Sequence, residues 1–412
     1  MNIEKNLGYV VWEEIPRICY EQEYPDCLDE YLSAVNRTIS KLKARRVQRI
    51  RLGVSWADWD SPSGHVFIES YVAAYWHSGF DVMPCLYLVP PQKSLSGTSG
   101  GPPAHPLEFA EFVYDFLKSM QALGMSFAYI ELWNEYTEYT NWRLDLDPEL
   151  EIFTTMIAAA SFVVRHFGSH SVLGGMAGVH PRNLELMRKI AGRGLLSLLD
   201  VIGFHALRGT WSDRQPPPSL SEQCRTVSRV ADEAARPSAC SRLALRIHQA
   251  RRHVRPVVRE IINSGLATRP CSHQPDIWLT EYGFSTTNTG LVQPLEQLRL
   301  EKIQVFLYAD ALAHLVHGCP KRIYWYGLRD SSRLKLPGSE IDWNDVIWFH
   351  FGDTYENDCP KLLGKLLVAG GPERVCSYAA EDDMASYLQD ASLGRKVPSE
   401  YAEHMRRPRR WQ

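Results

Sequence analysis

The sequence has no apolar run approaching the roughly 18 residues that a membrane-spanning helix needs, so no membrane partner is expected. It has no C-x-x-C pair, and its nine cysteines, an odd number, lie scattered without histidines at ligand spacing. Among 14 histidines there is no H-E-x-x-H, so no dedicated metal is expected. Walker and dinucleotide-binding fingerprints are both missing, and no cofactor is expected. Charge of one sign is also scarce: a formal net charge of −3 gives no reason to expect nucleic acid or an anionic surface as partner. The terminal Arg406-Arg407-Pro408-Arg409-Arg410 is the local exception and reads as a solvated tail. From Met1 to Tyr20 no basic segment precedes an apolar run, so no secretory signal is expected. That reading and an unpaired cysteine set together favour a reducing cytoplasm, where the sequon Asn36-Arg37-Thr38 would be chance.

What is present is ample material for a core. Hydrophobic residues make up 45% of 412 and charged residues 23%, the balance of a globular chain. Short strand-like runs alternate with helical patterns almost from end to end. The runs are Leu7–Trp12, Arg49–Ser55, Asp81–Leu88, Phe127–Trp133, Val172–Met176, Val201–His205, Ile277–Glu281 and Arg322–Leu328. Between the first two, Leu28, Tyr31, Leu32, Val35, Ile39 and Leu42 recur at helical spacing. Phe109, Phe112, Val113, Phe116, Leu117, Met120 and Leu123 do the same between the third and fourth. Eight strands, each followed by a helix, predict an α/β fold, a (β/α)8 TIM barrel. A doubly wound open sheet would carry a Gly-rich turn after its first strand, and Glu13-Glu14-Ile15-Pro16 is not one.

Strand spacing locates the additions. About 75 residues separate the sixth and seventh strand starts, against roughly 30 to 45 elsewhere. This places an insertion at about 210–275, with Gln215-Pro216-Pro217-Pro218 breaking the chain before a basic helical stretch from Ser221 to Asn263. A long loop follows the eighth strand, from Ser331 to His350, and carries Trp343 and Trp348. The barrel is expected over 1–370, with 371–412 as a C-terminal extension that packs on the barrel or is partly disordered. Both additions follow strand C-termini, where barrel sites are built, so each either shapes a cleft or elaborates the surface.

Glycoside hydrolysis needs two carboxyl groups about one bond, one protonated to help the leaving oxygen and one ionised to meet the anomeric carbon. Two glutamates directly follow apolar strands in loop-facing positions, Glu135 after Phe127–Asn134 and Glu281 after Ile277–Thr280. A carboxylate there is unfavourable unless paired or wet. Position alone leaves open that both are ordinary acids at the barrel mouth.

Glu131-Leu132-Trp133-Asn134-Glu135 resembles the Asn-Glu motif at the end of strand four in clan A glycoside hydrolases. Trp278-Leu279-Thr280-Glu281-Tyr282-Gly283 resembles the nucleophile-bearing end of strand seven in the same clan, and the surroundings are most similar to its β-xylosidase-like branch. The resemblance implies a retaining glycosidase acting on a carbohydrate, with Glu135 as acid/base and Glu281 as nucleophile. It also implies that Arg51 holds the nucleophile ionised by lowering its pKa, and that Asn134 binds the sugar 2-hydroxyl. By the same likeness His205 borders the nucleophile and Trp325 forms a platform under the sugar, with Tyr324 and Tyr326 on the other face. Tyr87, Trp56 and Trp59 are candidate cleft walls. His350-Phe351-Gly352-Asp353 resembles the clan's post-barrel segment. Departures are Tyr136, where relatives often carry Pro, and 210–274, which matches nothing.

Gly97-Thr98-Ser99-Gly100-Gly101 has the G-x-S-x-G spacing of a serine hydrolase but lacks the strand before and the helix after. Two rivals to hydrolysis stay open. One is a transglycosidase using the same glutamates; the other is a carbohydrate-binding barrel without turnover.

Overall fold

A computed structural model describes residues 6–12, 25–208, 220–233, 237–268, 274–286, 294–316, 318–328, 352–354 and 359–381. Eight strands form one closed, all-parallel barrel in sequence order: β1 (Leu7–Val11), β2 (Arg49–Ser55), β3 (Asp81–Tyr87), β4 (Tyr129–Leu132), β5 (His170–Ala177), β6 (Val201–Arg208), β7 (Asp276–Phe284) and β8 (Ile323–Tyr326). All eight expected strands are present. Strands β6 and β7 each run three residues further toward the mouth than the sequence pattern indicated. Closure is made by β8 on β1, with Gly8 opposite Tyr324, Tyr9 opposite Trp325 and Val10 opposite Tyr326.

The outer layer consists of α1 (Pro25–Ala44), α2 (Trp56–Trp59), α3 (Pro62–His77), α4 (Glu108–Ala122), α5 (Glu151–His166), α6 (Pro181–Gly192), α7 (Leu220–Glu233), α8 (Pro237–Ala250), α9 (Pro256–Thr268), α10 (Pro294–Val316) and α11 (Leu362–Glu381). No helix among the described residues is long and apolar enough to cross a membrane. In α4 the apolar period places Phe109, Phe112, Val113, Phe116, Leu117 and Met120 on one buried face, while Glu108 and Glu111 in the first turn complement the helix dipole. The start of α5 is held by buried Asp147, which accepts backbone N–H bonds from Glu151, Ile152 and Phe153 (2.8, 3.2 and 3.0 Å).

Two cores result. The larger lies between strands and helices. The smaller fills the barrel, where Val10, Met83, Val172 and Trp278 project from β1, β3, β5 and β7. Four residues from alternate strands make one interior layer of such a barrel. Toward the strand C-termini the inward positions turn polar.

Of the insertion, α7 takes the ordinary crossover place beside α6 and β7. The extra pair, α8 and α9, packs on α4 and α5. Arg246 pairs with Glu151 (2.5 Å), Arg255 pairs with Asp115 (2.8 Å), and Gly265 sits against the Phe162 ring. These helices pack on the flank of the barrel. Gln215–Pro218, Trp343, Trp348 and the Arg406–Arg410 tail lie outside the described residues.

Across residue 370, α11 continues through a break at Gly371 (φ 69°) and packs on α10, with Val375 fully buried. Cysteine pairing also differs from expectation. Cys27 is disulfide-bonded, while Cys85, Cys224, Cys319 and Cys376 are free thiols. The premise of a wholly unpaired set therefore falls.

Asp353, just ahead of α11, ties this last segment to the first strand. Its carboxylate accepts two bonds from Arg45 (2.7 Å each) and one from the Tyr9 hydroxyl (3.0 Å), all buried. Removing one partner of a buried ion pair leaves the other charge uncompensated. Asp353→Ala should lower unfolding free energy by about 3–5 kcal/mol. Urea denaturation measures this, and a loss under about 1 kcal/mol would show that the staple contributes little.

Candidate active site

Arg51 organises the polar end of the barrel. Fully buried on β2, it projects inward beneath the ring of Trp12, whose centroid lies 5.0 Å from the guanidinium. Nε donates to Glu131 on β4, Nη1 to Glu281 Oε1 on β7 (2.6 Å), and Nη2 to Asn134 Oδ1 (2.7 Å) and Cys85 Sγ on β3 (3.3 Å). One planar cation thus fixes four side chains from three strands or their ends. A lysine cannot reproduce this fork. Because Asn134 accepts from Arg51 with its oxygen, its Nδ2 remains the donor on offer.

Glu135 and Glu281 face each other across His205. Nδ1 of the imidazole lies 2.7 Å from Glu135 Oε1 and 3.4 Å from Glu281 Oε2. One donor atom from each of the three residues falls within 4.8 Å of the others. The remaining oxygen of Glu135 accepts from Asn141 Nδ2 (3.3 Å), and that of Glu281 is held by Arg51. The two carboxyls therefore have unlike surroundings. Glu281 is 4% exposed and cation-bound, whereas Glu135 is 19% exposed and bound only by neutral groups.

Burial sets the protonation states. It pushes the Glu135 carboxyl up to about 7, assisted by the charge of Glu131 and opposed by Arg51. It also raises Glu281, where the pull of His205 and Arg51 does not fully offset burial and the like charges of Glu135 and Glu131. Arg51 pulls Glu281 down as expected, and desolvation exceeds that pull. Of the two, Glu281 keeps its charge more readily, because only it bonds to a guanidinium. Burial drives His205 down to about 4, so the ring is neutral near pH 7.

Local irregularities aim these groups. In β7, Phe204 pairs with Leu279 and His205 with Glu281, so Thr280 is an extra residue. The bulge brings Glu281 to the barrel interior two residues after outward-facing Leu279, and such re-aiming is a common use of bulges beside sites. On β5 the register also slips between Leu173 and Met176. There a Cβ on Gly174 would stand 2.0 Å from the Trp133 carbonyl oxygen, and one on Gly175 would stand 1.9 Å from His205 Nε2. Only glycine admits so close an approach. The chain between β4 and its loop is strained, with φ 78° at Trp133 and 46° at Glu135, and Glu135 N–H donates to the Gly175 carbonyl (2.9 Å).

Glu135, Glu281, Arg51, Asn134 and His205 are therefore brought together. Tyr87 ends β3 at the same mouth, its ring 5.1 Å from Trp12. Three expected residues are elsewhere. Trp325 shares a register pair with Tyr9, whose side chain points outward to Asp353, and is itself fully buried in the outer core against Tyr282 and Tyr308 (5.7 and 5.0 Å). It cannot be a platform for a sugar. Alternation gives that face to Tyr324, deep in the barrel, and to Tyr326, whose hydroxyl pKa is raised by burial and then by the charges of Glu281 and Glu135. Trp56 is likewise core, stacked on Phe112 at 5.7 Å, and Trp59 packs beside it.

Glu131, Cys85, Trp12, Asn141 and Tyr326 complete the site without having been singled out. Glu131 carried a readable signal, a charge inside a four-residue apolar strand on the same face as its neighbours' inward positions. Asn141 carried none, because it reaches Glu135 only through the loop fold.

No protein-family model and no curated protein sequence matches the chain. Among solved structures it is similar to a family 39 glycoside hydrolase from Bacteroides cellulosilyticus WH2, at 12% identity and TM-score 0.53, over 90% of this chain and 64% of that one. It is similar also to exo-β-1,4-mannosidase Op5Man5 from Opitutaceae bacterium strain TAV5 (12%, 0.54, over 91% and 60%). A third is the Ignisphaera aggregans GH53 catalytic domain (15%, 0.52, over 89% and 96%). The chain thus spans less than two thirds of the first two. At these identities the likeness is one of fold.

Proposed function

We propose that this chain is a retaining glycoside hydrolase acting on β-glycosides through a glycosyl-enzyme. The observation that carries the reading is the pair of carboxyls whose facing oxygens lie within 4.8 Å, one on a guanidinium and one not. Retaining enzymes hold their carboxyls about 5–5.5 Å apart, whereas inverting ones need about 6.5–9.5 Å for an intervening water. That three similar folds bear the names of glycosidases agrees with it.

Glu281 Oε2, the oxygen not engaged by Arg51, attacks the anomeric carbon as the bond to the leaving oxygen breaks. Glu135 gives that oxygen its proton. A water then attacks the glycosyl ester, Glu135 takes the water's proton, and the Glu281 carboxylate is released to Arg51. Asn134 Nδ2 donates to the sugar hydroxyl beside the reacting carbon, a contact that strengthens as charge develops. Trp12, Tyr87 and Tyr326 offer flat faces around the ring.

Glu135 must be protonated for the first step, so kcat/KM for a β-aryl glycoside should fall tenfold per pH unit above about 7. Glu135→Gln should abolish that alkaline limb. A limb unchanged in the variant would assign it to another group. A screen of aryl β-glycosides, xylosides included, tests the reading itself. Turnover of at least one sugar, lost in Glu281→Gln, is expected. Binding without turnover across the panel would replace it with a carbohydrate-binding role.

A further inference from the structure

We propose that Glu135, His205 and Glu281 also form a site for one divalent transition cation, with Zn²⁺ as the probe, and that a bound ion excludes the glycoside and silences the barrel. The silencing rests on the glycosidase reading above; the binding does not.

The donors are already sorted for it. Glu281 Oε1 is occupied by Arg51 and Glu135 Oε2 by Asn141, and it is the other oxygen of each that converges on His205 Nδ1. Two carboxylate oxygens and one imidazole nitrogen within 4.8 Å match the three protein ligands of an open zinc site, its fourth position left to water. Bonds of about 2.0–2.2 Å require the donors to draw inward. Glu135, the most exposed of the three, can supply that movement. Charge balances too. Arg51 is offset by Glu131, which leaves two carboxylates and a neutral ring for a dication. Mg²⁺ and Ca²⁺ favour six or more oxygens and find too few here.

A second feature stands behind the imidazole. His205 Nε2 and Thr280 Oγ1 are both buried without a partner, and they are neighbours. They lie 1.9 and 2.7 Å from the point where a Cβ on Gly175 would stand. In the present arrangement the ring proton belongs on Nδ1, which faces the carboxylates. An ion on Nδ1 moves that proton to Nε2, and Thr280 Oγ1, which does not bond it in the present arrangement, draws closer to accept it. Ligating histidines commonly have such a second partner, and losing it weakens metal binding about 10–100-fold. The imidazole proton stays on the ring, and the acid proton of Glu135 passes to solvent as the ion binds.

Equilibrium dialysis of the metal-free chain against Zn²⁺ tests this without any substrate. One equivalent should bind to the wild type. Glu135→Gln and His205→Gln, confirmed folded by their melting curves, should weaken it about 100-fold or more, and Thr280→Val about 10–100-fold. Co²⁺ in the same site should give the visible absorption of a four- or five-coordinate ion, lost in Glu135→Gln. Zn²⁺ should also inhibit competitively with the glycoside. The exposed His105–His253 stack (4.9 Å) is the obvious decoy, and His105→Ala should change nothing. Absence of a bound equivalent, undiminished binding in Glu135→Gln and His205→Gln, or its loss in His105→Ala would each overturn the site. Glycoside turnover without Zn²⁺ binding would sink the site alone. Zn²⁺ binding as described, without turnover on any sugar, would sink the silencing and the glycosidase reading.

Discussion

Glu281→Ala should lower turnover of an activated β-glycoside by about 10⁴-fold or more, and added azide should restore part of it as the α-glycosyl azide. Removing the nucleophile leaves a gap on the α face that a small anion can fill, so attack there inverts the anomeric carbon once. Glu135→Ala should behave differently. Its loss, about 10²–10⁴-fold, should be largest for leaving groups that need a proton and small in the first step for one that departs unaided. Azide should then attack the accumulated glycosyl-enzyme and give the β-azide. The two products assign the two roles independently of any rate. Their asymmetry follows from the site: Glu281 is anchored to a guanidinium, whereas Glu135, raised to about 7, touches only neutral groups. An α-azide from Glu135→Ala with a β-azide from Glu281→Ala would reverse the assignment.

Arg51→Met should be the most damaging single change to the fold at the site. It strands Glu131 and Glu281, both nearly or fully buried, and removes the donors that fix Asn134 and Cys85. Breaking one buried pair typically destabilises by about 3–5 kcal/mol, and this change breaks two that share one cation. Activity should fall with it, because the nucleophile loses its orientation. Pairing Arg51→Met with Glu131→Gln separates these effects. The double variant should regain stability relative to Arg51→Met, since one stranded charge is gone, but no activity. Additive losses in denaturant unfolding would mean that Arg51 and Glu131 do not act as a unit.

The barrel was legible because each strand repeats one simple signal, a short apolar run followed by helical spacing, and eight such signals leave little choice of fold. Strand ends alone left Glu135 and Glu281 open as ordinary acids; these two, with Arg51, Asn134 and His205, were legible through the resemblance of the strand-end motifs to a known clan. What alternation decides was harder. Trp325 and Tyr326 are adjacent, both aromatic, and a shift of one residue exchanges the faces they occupy. Only pairing with β1, where Tyr9 is drawn outward to Asp353, settles which points in. Trp56 misled for a related reason: it lies just past β2 in a short helix, and its ring turns back onto Phe112. The bulge at Thr280 was invisible in the sequence, because its cause is the closeness that Gly175 and Gly203 allow on neighbouring strands. The Cys27 disulfide was hidden by an odd cysteine count, which says how many are left over and not which are joined.

Proton NMR of a β-aryl glycoside during its first minutes of cleavage tests the central claim most directly, because the anomer released first records how many displacements occurred. Two displacements through Glu281 predict the β-sugar, with the α-anomer appearing later by mutarotation. Release of the α-anomer first would mean a single displacement by water and would contradict the account.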